Sequence, residues 1–280
     1  MYLYVVETSN TPSSQTDINV ICEISNDELE QLNSAFKICG IYHGITQIKE
    51  IVVENGEAFK KYMSPENLLK IRTDNMSPER TIMLANKFVL NYASSIKTYI
   101  DMETRLLKKH CEKTEFSMFE KMCNHFYDNN LEYRFWANFR NYIVHWEFPY
   151  SIYQDSIENG CKIICTKENL LKFDNWKHSK DDILKMNDII DLPYMVDKMS
   201  SMIYALYIDF FSHFTKDISE GVSIYGEFCR KYNVKIPAIL KTYKKDEIVG
   251  SHIQPLPTKD LRSVINLLKT NPRIEFNIQT

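Results

Sequence analysis

The spacing of apolar residues changes period along this chain, and the changes divide it into three stretches. Asp17 to Ile24 alternates polar and apolar, the two-residue period of a half-buried strand, and Ser25 or Asn26 can cap a helix reaching Lys37. Ile41 to Glu54 is rich in β-branched residues and is predicted as a strand, ended by a turn at Asn55-Gly56. Residues 1–76 therefore read as a small α/β region.

From Ser77 the period becomes helical. Ser77-Pro78-Glu79 offers a capping hydroxyl, a proline whose missing N–H costs nothing in the first turn, and an acid facing the helix dipole. No breaker follows until Cys111, which predicts a helix of about 50 Å at 1.5 Å per residue. Its apolar stripe is Ile82, Ala85, Val89, Tyr92, Ile96, Ile100 and Leu107. A second helix is predicted from Glu115 to Asp128. A third runs from Leu131 to Trp146 and stops before Pro149. Tyr150–Asp155 and Cys161–Thr166 read as two strands joined through Glu158-Asn159-Gly160, and helices follow at Pro193–Phe214 and Ser219–Tyr232.

Residues 233–280 return to mixed character. Pro255 and Pro257 mark a loop, Asp260–Leu268 a short helix, and Arg273–Ile278 a strand that would pair with the N-terminal strands. The expected fold is mainly α: a helical bundle over 77–232 with an inserted β-hairpin, and small α/β flanking regions at 1–76 and 233–280.

Composition narrows the function classes. Of 280 residues, 44% are hydrophobic, enough for a real core, and only 7 Gly and 9 Pro argue against a disordered or loop-rich chain. A net charge of −3 excludes a globally basic duplex-DNA binder, so any nucleic-acid contact has to come from a local patch. The 7 Cys are irregularly spaced without a Cys-x-x-Cys pair, which reads as free thiols in a reducing compartment, and no metal or other cofactor is expected. Met1–Val6 has no signal-peptide pattern. The most apolar stretch, Met199–Phe214, is interrupted by Asp209 and is too short to span a bilayer, so the expected location is cytoplasmic. The pairs Lys108-Lys109 and Lys244-Lys245 are phosphate-binding candidates or simply solvated surface.

Candidate chemistry lies on the helix predicted at Leu131–Trp146. At 100° per residue, Leu131, Phe135, Phe139, Tyr142 and Trp146 fall within an arc of about 80°, its core stripe. Arg134, Asn138, Asn141 and His145 share a neighbouring arc of about 60°, and Arg140 borders the opposite edge of the stripe. Asn141 is one turn from His145, close enough for its amide to orient the imidazole. The helix C-terminus favours the protonated ring and Arg140 opposes it. A histidine balanced near neutrality can both accept and donate a proton. Glu103 falls inside the apolar stripe of the long helix, where a carboxylate needs a partner. Arg134 and Arg140 are the candidates, as site support or as a structural ion pair.

The run Tyr133-Arg-Phe-Trp-Ala-Asn-Phe-Arg140-Asn141-Tyr-Ile-Val-His145 resembles the signature of HEPN domains, in which Arg and a polar residue precede His, four to six residues intervening between Arg and His. Here the polar residue is Asn141. The helical stretch from Asn91 through Glu103 to Arg105 is similar to that of many prokaryotic HEPN-like proteins. The resemblance covers residues 77–232. It implies a bundle that dimerises, with Arg and His of both protomers lining a cleft at the two-fold, and metal-independent RNA cleavage. His145 would take a proton from a ribose 2′-hydroxyl or protonate the leaving oxygen, Arg140 would stabilise charge on the phosphate, and Asn141 would orient the imidazole. The hydroxyl attacks its own phosphate and leaves a cyclic phosphate end; DNA lacks that hydroxyl and is not cut.

The setting implied is a toxin–antitoxin or antiphage defence system, with RNA, a second copy and an antitoxin or regulatory protein as partners. Some HEPN toxins carry a Tyr two residues after the His, which a nucleotidyltransferase antitoxin modifies. That position here is Glu147, so inhibition by this route is not expected. The alternative reading is a non-catalytic HEPN module that binds a nucleotide or a protein partner. A third is an interaction protein in which Arg140 and His145 are merely packed.

Overall fold

The computed structural model describes residues 2–10, 16–156, 160–243 and 252–274. Its elements run β1 (Tyr2–Asn10), β2 (Thr16–Glu23), α1 (Asn26–Ala35), α2 (Lys37–Met63), α3 (Pro65–Thr73), α4 (Pro78–His110), α5 (Lys113–Asn129) and α6 (Leu131–His145). Then come β3 (Ile152–Ser156), β4 (Gly160–Thr166), α7 (Lys167–Leu171), α8 (Ser179–Lys185), β5 (Ile189–Ile190), α9 (Val196–Ser212), α10 (Thr215–Tyr232), β6 (Pro237–Thr242), β7 (His252–Pro255) and α11 (Thr258–Lys269). The fold is mainly α. No described helix is long and apolar enough to cross a membrane.

The chain forms two compact units, Met1–Gly44 with Phe211–Thr280, and Ile45–Phe210. This division joins the two ends of the chain, where the hydropathy pattern suggested three consecutive regions.

In the first unit the sheet is antiparallel, ordered β2-β1-β6-β7. Tyr4 lies opposite Leu240 and Val6 opposite Ala238. Tyr4, Val6, Ala238 and Leu240 form one buried cluster. Leu3, Val5 and Ile239, which point to the other face by alternation, are also buried. A strand buried on both sides shows no alternation, and Pro237 stands at the first residue of β6, where a missing N–H is tolerated. Both features hid β6 from the hydropathy pattern. The strand expected at Arg273–Ile278 begins in non-strand backbone, and its remainder lies outside the described residues. α1 starts with a capping box between Ser25 and Glu28. It packs on α10, where Gly221 admits the Ala35 carbonyl; a β-carbon at Gly221 would lie 2.5 Å from that oxygen.

The second unit is built around α4. Ser77 Oγ accepts from the Arg80 N–H and Pro78 occupies the first turn, as the sequence indicates. Its buried face meets α6, with Tyr92 edge-on to Trp136 at 4.8 Å. Phe135, Phe139 and Tyr142 of α6 stack in series and against Trp176. The hairpin β3–β4 forms as expected, and β5 adds to it.

The strand expected at Ile41–Glu54 is helix instead, part of α2. Ile45, Val52 and Phe59 are fully buried at seven-residue spacing, so helical periodicity outweighs the β-branched content. Asn55-Gly56 does not turn the chain: Gly56 lies inside α2, against the Tyr92 ring and Val196.

Candidate active site

α6 has an open side because α4 and the aromatic series cover only part of its circumference. Taking Arg140 as the origin and 100° per residue, Val144, Ala137, Asn141 and His145 follow within an arc of about 140°. Ala137, Arg140 and Asn141 are half-buried, and Val144 and His145 are exposed. Arg140 and His145 thus bound one solvent-facing surface, their β-carbons roughly 10 Å apart by helix geometry. Among the described residues, the side chains of Arg140, Asn141 and His145 make no hydrogen bond and no ion pair.

The arc expected to hold Arg134, Asn138, Asn141 and His145 together is divided. Asn138 is buried, and its amide donates to the Tyr127 hydroxyl at 3.2 Å and to Ser179 Oγ at 3.0 Å. Arg134 grips Asp182 with two nitrogens, at 2.8 and 3.2 Å, and donates to the backbone carbonyls of Tyr127 and Asp128. α5 and α8 therefore claim the N-terminal half of this arc, and only Asn141 and His145 remain open. Asn141 is a turn away from His145 but does not hydrogen-bond to it, so the expected orienting contact is not formed.

Glu103 pairs with neither arginine. It is fully buried, Tyr99 donates its hydroxyl to Oε1, and Oε2 has no partner. Burial pushes its pKa well above the ordinary carboxylate range, and Asp209 adds to the shift against the Tyr99 hydrogen bond. Burial likewise raises Tyr99 and Cys123 beside it, Cys123 to about 12. An uncharged acid needs no cation, which is how Glu103 is tolerated in the stripe without Arg134 or Arg140.

Trp146 was assigned to the core stripe by the helical wheel, yet it is 54% exposed. α6 ends at His145, and Trp146 takes φ −133° and ψ −85°, which turns it off the wheel. Phe148 is 49% exposed. The segment between them is held at both ends. Trp146 and Glu147 N–H groups close on the Tyr142 carbonyl, and Asn86 of α4 clamps Tyr150, donating to its carbonyl at 2.8 Å and accepting from its N–H at 3.1 Å. A wheel extended past a helix end cannot show this; Pro149 was the signal that it should stop earlier.

Lys108 and Lys109 are exposed at the end of α4, with Lys108 over the Phe116 ring, while Lys244 and Lys245 lie outside the described residues. All seven cysteines are free thiols. Among the described residues no group of three or more His, Cys, Asp and Glu is placed to hold a metal ion. No family model, no curated protein and no solved structure matches the chain.

Proposed function

We propose that this chain is an endoribonuclease of the HEPN type, cleaving RNA by 2′-hydroxyl attack without a metal and working as a homodimer in the cytoplasm. The observation that carries this reading is the open side of α6, where a guanidinium, an amide and an imidazole face solvent without protein partners. Groups left unpaired and wet are available to an incoming phosphate and ribose. Arg140 and His145 stand on opposite sides of that face, which favours a site completed by a second copy. The toxin or defence setting, and an antitoxin or regulatory partner, rest on the sequence resemblance.

Single-stranded RNA incubated in EDTA with the wild-type chain is expected to yield cyclic phosphate ends, while DNA of the same sequence stays intact. His145→Ala should lower the rate by about 100-fold or more. Equal cleavage by the wild type and His145→Ala removes the assignment.

A second reading draws on the missing Asn141–His145 contact. With no amide fixing the ring, the same face would hold a nucleotide phosphate without turnover. A nucleotide that raises the melting temperature of a chain unable to cut RNA would select it.

A further inference from the structure

The solvent side of α4 carries a row of cations that the protein itself leaves unpaired. At 100° per residue, Arg80, Lys87, Asn91, Ser94, Arg105 and Lys109 fall within an arc of about 60° that runs about 44 Å along the helix. Ser94 is half-buried and the other five are exposed. No carboxylate lies in the arc. Asp101 stands at its border, where Lys97 binds it, and Glu103 is buried on the core side. Among the described residues the cations of the row meet no acid: Arg80 reaches the Met83 sulfur, Lys87 the Phe88 ring, and Arg105 and Lys109 have no partner. The Asn91 amide and Ser94 hydroxyl are also without a protein partner. Other cations of the same unit do find acids, as Lys60 does with Asp197, Lys167 with Asp188 and Lys198 with Glu132. The helix dipole does not account for the row. It favours Lys109 at the C-terminus, but it disfavours Arg80 in the first turn.

We propose that this face of α4 binds the sugar–phosphate backbone of single-stranded nucleic acid. Charge complementarity in a chain of net charge −3 names an anionic occupant for this row. Guanidinium and ammonium groups, amides and hydroxyls are the side chains that hold phosphate oxygens, and here they share one line. Arg80 and Lys87 stand about 11 Å apart along the axis, Arg105 and Lys109 about 6 Å, with the neutral donors Asn91 and Ser94 between the two pairs. A straight row suits a flexible single strand, which can lie along it. An anionic membrane would call for apolar side chains beside the cations, and the arc holds none. Backbone contacts read no base, so RNA and DNA should bind alike, and the row stands apart from cleavage.

Fluorescence anisotropy tests this with a labelled 2′-O-methyl RNA dodecamer, which cannot be cut, and with DNA of the same sequence. Both strands should bind, with log affinity falling against log salt at a slope of about −3. Lys87→Gln combined with Arg105→Gln and Lys109→Gln should weaken binding of both strands by about tenfold or more and make the slope shallower by about 2. All three positions are exposed and glutamine keeps the helix propensity, so the circular-dichroism spectrum should not change. Lys61→Gln combined with Lys70→Gln and Lys162→Gln makes the same change in charge at exposed positions outside α4, and should leave the slope as it is.

An unchanged slope in the α4 variant, or an equal change in the second variant, overturns the proposal. So does binding to vesicles of phosphatidylserine and phosphatidylcholine that the α4 variant loses while its affinity for the strands holds, which would put a bilayer on the row. Unmodified RNA that binds with the expected slope, is released by the α4 substitutions and is never cut would support the row and remove the nuclease reading.

Discussion

Replacing Glu103 by Gln should make the second unit more stable at neutral pH, by an amount that grows with pH. The native carboxyl is fully buried, which holds on to its proton to higher pH, while the unfolded chain releases it around the ordinary value of 4.5. Above that value the native state therefore binds more protons than the unfolded state. The free energy of unfolding then falls as pH rises, by at most about 1.4 kcal/mol per pH unit. The stabilisation is fully present below 4.5 and is lost progressively towards the raised native pKa.

Glutamine keeps an oxygen for the Tyr99 hydroxyl and has no proton to lose. Its NH2 group takes the place of Oε2, which already lacks a partner, so little new is left unsatisfied. The stability difference between Glu103→Gln and wild type should climb as pH rises from 5 to 7, by at most about 1.4 kcal/mol per pH unit, because every other titrating group cancels. Urea unfolding followed by tryptophan fluorescence reads it, since Trp136, Trp146 and Trp176 all belong to the unit spanning 45–210. Parallel stability curves for the two proteins from pH 5 to pH 7 would refute the buried, protonated acid.

Gly221→Ala should destabilise the first unit by about 1–3 kcal/mol despite a gain in helix propensity, since a backbone carbonyl cannot step aside as a side chain can; urea midpoints followed by circular dichroism check this, and a stabilised variant contradicts the close approach of α1 and α10. Arg134→Met leaves Asp182 and two backbone carbonyls without their donor and should cost the second unit about 3 kcal/mol, read by tryptophan fluorescence. A loss below about 0.5 kcal/mol would mean the pair is as weak as a surface bridge. Glu28 is held at about 2 by Lys231, by the Ser25 backbone N–H and by Tyr232, so its contribution is present above 4.5 and fades as pH falls towards 2. Glu28→Gln should lower the circular-dichroism urea midpoint at pH 6 and by only about a quarter as much at pH 2.5, where most of the linkage is lost; a difference of the same size at both values contradicts the linkage.

The helices of the second unit were legible where capping and period agree, as at Ser77-Pro78 and along the α4 stripe. Residues 41–54 were misread because β-branched content and a helical period coincide there, and only the burial of Ile45, Val52 and Phe59 decides between them. β6 was hidden because both of its faces are covered. At the candidate site, the placement of Arg140, Asn141 and His145 outside the core stripe of α6 could be read from one helix. The diversion of Arg134 and Asn138 depends on Tyr127, Ser179 and Asp182, which are distant in sequence or on another helix and leave no local trace. The outward turn of Trp146 depends on backbone angles past the helix end.

The pairing of β1 with β6 has a consequence for synthesis. Translation supplies all of 45–210 before Pro237 leaves the ribosome, so the unit bearing Arg140 and His145 can mature on the nascent chain. Meanwhile β1 waits with one edge unpaired, a template for aggregation that a ribosome-bound chaperone would have reason to cover.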